Sequence, residues 1–206
     1  MKKPARIARS AASPVKARSA KREHLLDVAR GLFARQGYHA VGIDTVLAEA
    51  GVAKMTLYKH FPSKEALIAA VLERRAAEIV SEIEAKVSRA RGGAAGRVLA
   101  VFDWLDDWFR SPGFHGCLFI KAASEYPEES DLPRQAAVAF KAGCLALLQR
   151  LCGELELSGT RRNALARQLA LLIEGATVLA FIQRSPAAAA EAKDAARVLV
   201  EAATAA

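Results

Sequence analysis

Apolar side chains recur three and four residues apart through almost the whole chain, and no stretch alternates strictly between apolar and polar residues. That periodicity belongs to amphipathic helices and leaves nothing that reads as a strand, so the sequence predicts an all-α protein. Leu25, Val28, Ala29, Leu32 and Phe33 define a first helix over residues 22–36, ended by Gly37. A short second helix over 44–50 turns Val46, Leu47 and Ala50 inward, with Gly42 or Asp44 as N-cap. A third lies between Gly51 and Pro62. The fourth starts at Ser63, a natural N-cap, and its stripe of Leu67, Ile68, Leu72, Ile79, Ile83 and Val87 runs to about Arg89.

Glycines at 92, 93 and 96 then break the pattern. Val98, Val101, Phe102, Leu105, Trp108 and Phe109 share one face of a fifth helix, ended by Pro112 and Gly113. A short segment over 117–125 is closed by Pro127, and Pro133 opens a longer helix to about Leu155, with Phe140, Gly143, Leu147 and Leu151 inward. An eighth helix over 161–184 follows Ser158 or Thr160 as cap, and Ser185 with Pro186 starts a ninth that ends near Ala203. The expected organisation is a basic arm over 1–20, a three-helix head over 21–65 and a helical body over 66–206. Three helices in about 40 residues are too few to be stable alone, so the long fourth helix must support the head.

The segment from Gly51 to Glu65 carries the chemistry. Two short amphipathic pieces meet at a glycine able to take positive φ, which is the grammar of a helix-turn-helix. With Val52 and Leu57 packed back on Val46 and Ala50, the residues left facing outward are Lys54, Met55, Thr56, Tyr58, Lys59 and His60. Lys54, Met55 and Thr56 are candidates for base edges, and Tyr58, Lys59 and His60 for phosphates. Lys64 sits in the first turn of the fourth helix, where a cation is unfavourable unless an anion arrives, so its position argues for a DNA phosphate there.

Charge strengthens this picture. Thirty basic against 22 acidic side chains give a formal net charge of +8. Eight basic residues and no acidic one within 1–22 account for all of it, leaving a neutral remainder. An arm rich in Ala, Ser and Pro reads as disordered, and beside a DNA-reading motif it is placed to release counterions from phosphates.

The segment from Leu25 to Leu72 resembles the tetracycline-repressor (TetR) family of bacterial transcriptional regulators. The residues that carry the likeness are Phe33 with Gly37 and Tyr38, Val46 with Gly51 and Val52, and the run Thr56, Tyr58, His60, Phe61, Ser63, Lys64 and Leu67. Five helices beyond the fourth agree with the nine-helix layout of that family. The resemblance implies a homodimeric repressor whose heads bind a palindromic operator and whose C-terminal domain binds a small molecule. Carried over by position, Lys54, Thr56, Tyr58, Lys59 and His60 fall on the DNA-contacting helix and Lys64 on a phosphate-binding position. Val41 and Gly42 stand where the family often has two hydroxyl residues, so a phosphate contact at Gly42 must use backbone amides. Leu47 replaces a frequent alanine.

In the body, Trp104, Trp108, Phe114, Phe140 and Phe181 are most economically core residues by helical spacing and can also wall an apolar cavity, with Glu174 as an orienting polar group. Glu174 also fits an exposed position or a dimer contact. Cys117, after Gly116 at an expected helix N-terminus, is either an inert thiol or a sensor. Three widely spaced cysteines form no disulfide framework and fit a reducing compartment. Cys144 and Cys152, about 12 Å apart along one helix, cannot pair with each other.

No metal-ligand spacing, nucleophile elbow, phosphate loop or dinucleotide fingerprint is present, so neither a metal nor another cofactor nor catalysis is expected. The basic N-terminus lacks the apolar run of a secretory signal, and the run Leu169 to Ile182 reads as too short for a bilayer, so a cytoplasmic protein with no membrane partner is expected. A ligand-independent DNA-binding protein remains the main rival. It shares the head and arm and lacks the cavity.

Overall fold

The computed structural model describes residues 14–205. Among them are nine helices and no strand: α1 (Pro14–Gln36), α2 (Ile43–Ala50), α3 (Lys54–Tyr58), α4 (Lys64–Ser88), α5 (Gly93–Arg110), α6 (Leu118–Glu125), α7 (Leu132–Gly153), α8 (Gly159–Gln183) and α9 (Ala187–Thr204). Most of the expected basic arm lies outside the described residues. Its last part does not: α1 begins at Pro14, eight residues before the expected start, with proline at a helix start where its missing N–H is no loss.

α1, α2, α3 and the first turns of α4 share one core. Leu25 and Phe33 from α1, Val46 from α2, Leu57 from α3 and Leu67 with Ile68 from α4 are all fully buried. α2 ends as expected at Gly51, in the left-handed region at φ 61° and ψ 35°. The Gly51 N–H reaches the Ala48 carbonyl and the Val52 N–H the Leu47 carbonyl at 3.3 Å, the paired bonds of a Schellman cap. His24 of α1 adds a bond from Nε2 to the Ala50 carbonyl at 3.1 Å, covering another carbonyl at that end. At the start of α4, Ser63 Oγ accepts the Ala66 N–H at 3.1 Å, which establishes Ser63 as the N-cap.

α4 leaves the head and becomes one wall of the body, where it packs on α5 and α7; α8 packs along α7 and α9. α5 starts inside the expected glycine break. Gly92 takes φ 90° as the N-cap, and Gly96 sits so tightly on the Arg91 carbonyl that a β-carbon would lie 1.8 Å from the oxygen. Those glycines start the helix rather than interrupt it. In α7 the buried positions are Pro133, Ala137, Leu148, Leu151 and Cys152, whereas Gly143, expected inward, is exposed. The helix is gripped by α4 on one side and α8 on the other, so its buried surface is not a single stripe.

By length and composition alone, α7 and α8 are each long and apolar enough to cross a bilayer, the run Leu169 to Ile182 being part of the 25-residue α8. α8 instead buries Leu165, Leu169 and Ala176 against its neighbours and carries Glu174 in an ion pair with Lys141.

Candidate nucleic-acid interface and the cavity behind it

α3 is shorter than the sequence suggested, ending at Tyr58, with Lys59, His60 and Phe61 in a tight turn stitched by bonds back to Met55 and Leu57. Leu57 anchors the helix in the core, which aims the opposite side outward. Met55 is 70% exposed, Lys54, Tyr58 and Lys59 are exposed, and Thr56 and His60 are half-buried. Asp44 of α2 stands 3.7 Å from Lys54, a carboxylate on the reading face that the motif alone did not reveal. Both groups are well exposed, and such pairs are typically worth about 0–1 kcal/mol, so a DNA group can displace Asp44 at little cost.

Gly42 is the exposed N-cap of α2, with no side-chain cap. Lys64 is the first residue of α4, and its Nζ lies 3.5 Å from the His39 carbonyl, over the α1–α2 turn. The candidate phosphate groups at Gly42 and Lys64 thus flank that turn, beside the α3 face.

The turn itself is fastened to the body. The Glu125 carboxylate accepts the Tyr38 N–H at 3.0 Å and the His39 N–H at 2.6 Å, and the Tyr38 hydroxyl donates to the Leu118 carbonyl at 3.0 Å. Lys121 Nζ donates to the Ala34 carbonyl at 2.7 Å, near the end of α1. Tyr38 is thereby held against α6. Burial raises its phenol well above the usual range, and burial lowers the Lys121 ammonium. A glycine at 37 is required here: its φ is 85°, and a β-carbon would come 3.0 Å from Glu125 Oε1.

A second connection runs through α4. Trp104 Nε1 donates to Glu82 at 2.9 Å, Arg75 bridges Glu82 at 2.7 Å and Glu78 at 3.2 Å, and Arg30 of α1 meets Glu78 at 2.7 Å. Burial is the largest influence on the Glu82 carboxyl and acts to raise it. The hydrogen bonds from Arg75 and Trp104 outweigh that and hold it below the ordinary range.

Both connections border one cavity of about 1450 Å³ between α1 and the body helices. Its wall includes the five expected residues Trp104, Trp108, Cys117, Phe140 and Glu174. Trp104 stacks on Trp108 at 5.3 Å and Phe119 on Phe140 at 3.7 Å, presenting flat apolar faces. Glu174 is neither a free surface group nor an isolated polar one: Lys141 Nζ lies 2.5 Å from its Oε1. Burial opposes the charge on Lys141, but Cys117 and the bond to Glu174 raise its pKa above the usual lysine value. Burial pushes the thiols of Cys144 and Cys152 up to about 11.

Two expected residues lie elsewhere. Phe114 packs edge-on behind Trp108 at 5.0 Å, and Phe181 is 46% exposed on α8, with its ring against Gly116 and 5.2 Å from Lys121 Nζ. Helical spacing places an aromatic on a face without saying which neighbour that face meets. Arg75, Glu82 and Lys141 escaped notice because a charge on a helix ordinarily reads as a solvated face. Among the described residues no group of three or more His, Cys, Asp or Glu side chains is arranged to hold a metal.

A helix-turn-helix head with an outward basic face, joined by one long helix to a hollow helical body, is the architecture of a helix-turn-helix DNA-binding protein. Comparisons agree. The family described as "Bacterial regulatory proteins, tetR family" matches residues 25–71. The transcriptional repressor NemR of Escherichia coli is 32% identical over 130 residues, 63% of this chain and 65% of NemR, just under two thirds of that relative's length. The transcriptional activator FasR of Mycolicibacterium smegmatis is 32% identical over 154 residues, 72% of this chain and 67% of FasR. The crystal structure of SCO4454, a TetR-family transcriptional regulator from Streptomyces coelicolor, superposes with a TM-score of 0.84 at 30% identity, covering 90% of this chain and 97% of the other. The chain belongs to the TetR family.

Proposed function

We propose that this protein is a sequence-specific DNA-binding transcriptional regulator: a cytoplasmic homodimer, without enzymatic activity, that represses from a palindromic operator and leaves it when a small molecule enters the body cavity. The observation that carries the reading is the pairing of an outward face at Lys54, Met55, Tyr58 and Lys59 with a cavity whose wall is hydrogen-bonded to the same head through Tyr38 and Leu118. Lys54, Met55 and Thr56 read base edges; Tyr58, Lys59, His60, Lys64 and the Gly42 turn hold phosphates.

One short helix contacts few base pairs, so useful specificity needs two heads. An exposed apolar stripe supports the dimer: Leu171 (73% exposed), Val178, Leu179 and Ile182 of α8 with Val198 of α9, and exposed Gly175 on the same stretch permits close approach. Ala176 faces the core instead. A ligand wedged between α5, α6 and α7 would move α4 and α6 together, changing the spacing of the heads. Typical couplings of about 1–3 kcal/mol weaken operator binding roughly 5- to 150-fold.

The family contains activators as well as repressors, as FasR and NemR illustrate by name. The test is selection of bound DNA from a random pool, followed by a screen for compounds that release it. Recovery of a palindromic site supports the reading, and DNA binding without sequence preference removes it. A second reading makes Cys117 a thiol sensor, favoured by its place in the cavity wall. Release of DNA by a thiol-reactive compound, lost in Cys117→Ser, would select it over reversible binding.

A further inference from the structure

Taking the cavity as the effector site, as proposed above, we infer that its occupant is an organic anion: a large apolar body carrying one carboxylate, sulfonate or phosphate head, paired with Arg35. The wall holds six cationic side chains, Arg30, Arg35, Arg75, Lys86, Arg89 and Lys141, against three carboxylates, Glu82, Asp107 and Glu174. Each carboxylate is already held by a cation of the same wall: Glu82 by Arg75 at 2.7 Å, Asp107 by Lys86 at 2.5 Å and Glu174 by Lys141 at 2.5 Å. A lipophilic cation therefore meets no open carboxylate and would have to compete with the lysine or arginine that already holds one.

The surplus lies on the positive side. Arg30 is held by Glu78 from behind, whereas Arg35 and Arg89 form no ion pair among the described residues. An anion can neutralise either without disrupting an existing contact. Arg35 is the better placed. It stands in the last turn of α1, and its guanidinium folds back over Gly31, with one nitrogen 3.2 Å from where a β-carbon would lie; both residues border the cavity. A glycine inside a helix costs about 1 kcal/mol relative to alanine. Here it opens the space in which Arg35 lies along the cavity rim. The rest of the wall suits an apolar body, and at about 1450 Å³ the space exceeds the roughly 300–1000 Å³ of ordinary small-molecule pockets. Since Arg35 belongs to the head and the aromatic wall to the body, an anion spanning them touches both parts.

The experiment uses the full chain and the anionic fluorophore anilinonaphthalene sulfonate, displaced by laurate, dodecanol or dodecylammonium, each below its micellar concentration. The three competitors share a tail and differ in charge. Laurate is expected to displace the probe at a concentration about tenfold lower than dodecanol, the usual scale of one charge-assisted contact, and dodecylammonium is expected to be weakest. Arg35→Gln should cut laurate affinity about tenfold and leave dodecanol unchanged, while Arg89→Gln should leave both unchanged. Equal displacement by all three, strongest displacement by the ammonium, or wild-type laurate affinity in Arg35→Gln overturns the inference. In a parallel assay, release of operator DNA by dodecanol or dodecylammonium but not laurate overturns the anion while leaving the effector cavity standing. Absence of any probe binding overturns both.

Discussion

Glu125 of α6 receives the backbone N–H of Tyr38 at 3.0 Å, so a carboxylate of the body closes the turn that introduces the reading motif of the head. The same carboxylate takes the His39 N–H, and the His39 ring stacks on Tyr126 at 4.8 Å. Together with the bond between His39 Nε2 and the Glu125 carbonyl at 2.7 Å, these contacts fasten one turn to one helix end.

Removing that carboxylate should loosen the joint. Glu125→Ala leaves the part-buried Tyr38 amide without its acceptor and the exposed His39 amide to water, at an expected cost of about 1–3 kcal/mol. For a chain of this size, each kcal/mol lowers the melting temperature by roughly 2–4 °C. Thermal unfolding of the variant beside wild type measures the loss, and an unchanged melting temperature would show that the joint is incidental.

Phosphate contacts and base contacts separate by their salt dependence. Lys64→Ala should weaken operator and random DNA alike and reduce the slope of log affinity against log salt by about 0.9. Tyr58→Ala should likewise weaken binding to all sequences. Thr56→Ala, at the reading end of α3, should instead cost about 1–3 kcal/mol on the operator and little on random DNA. Titrations at several salt concentrations distinguish the two patterns.

Trp104→Phe keeps an aromatic ring in the cavity wall and deletes the indole N–H that meets Glu82. The wall should retain its shape while the α5 end of the chain of contacts to Arg30 is released. The expected result is near-wild-type operator affinity without ligand and a release by effector reduced at least severalfold, read by fluorescence anisotropy on labelled operator.

The Glu82 network also sets a pH dependence. Its folded-state carboxyl is held below the ordinary range by Arg75 and Trp104, so its stabilisation is complete above the unfolded value of about 4.3 and is lost as pH falls through the lower folded value. Glu82→Gln should therefore be less stable than wild type between about pH 5 and 8, and the gap should close at lower pH. Urea unfolding across that range checks the sign.

A charge in the α8 stripe should separate the proposed dimer. Leu171→Glu with Ile182→Glu places two carboxylates on an apolar face that is open in the single chain. Monomers by sedimentation, with helical content intact and operator affinity sharply reduced, are the expected outcome; a persistent dimer would move the interface elsewhere.

Much of this was legible from residue order alone. Spacing of apolar residues determined the helices, Gly51 determined the turn, Ser63 the start of the long helix, and Leu57 which side of α3 must face out, because each depends on neighbours within a turn or two of the chain. Helix ends at Pro14 and Gly93 were less legible, since a proline or glycine marks a start as readily as a break. The tertiary structure alone decided what met what across long separations. Asp44 stands beside Lys54, Glu125 closes the turn at Tyr38 from 87 residues away, and Lys141 neutralises Glu174. It also turned Phe181 and Gly143 outward. Periodicity assigns a residue to a face of its helix, but only the packing of one helix on another determines whether that face meets core, cavity, carboxylate or solvent.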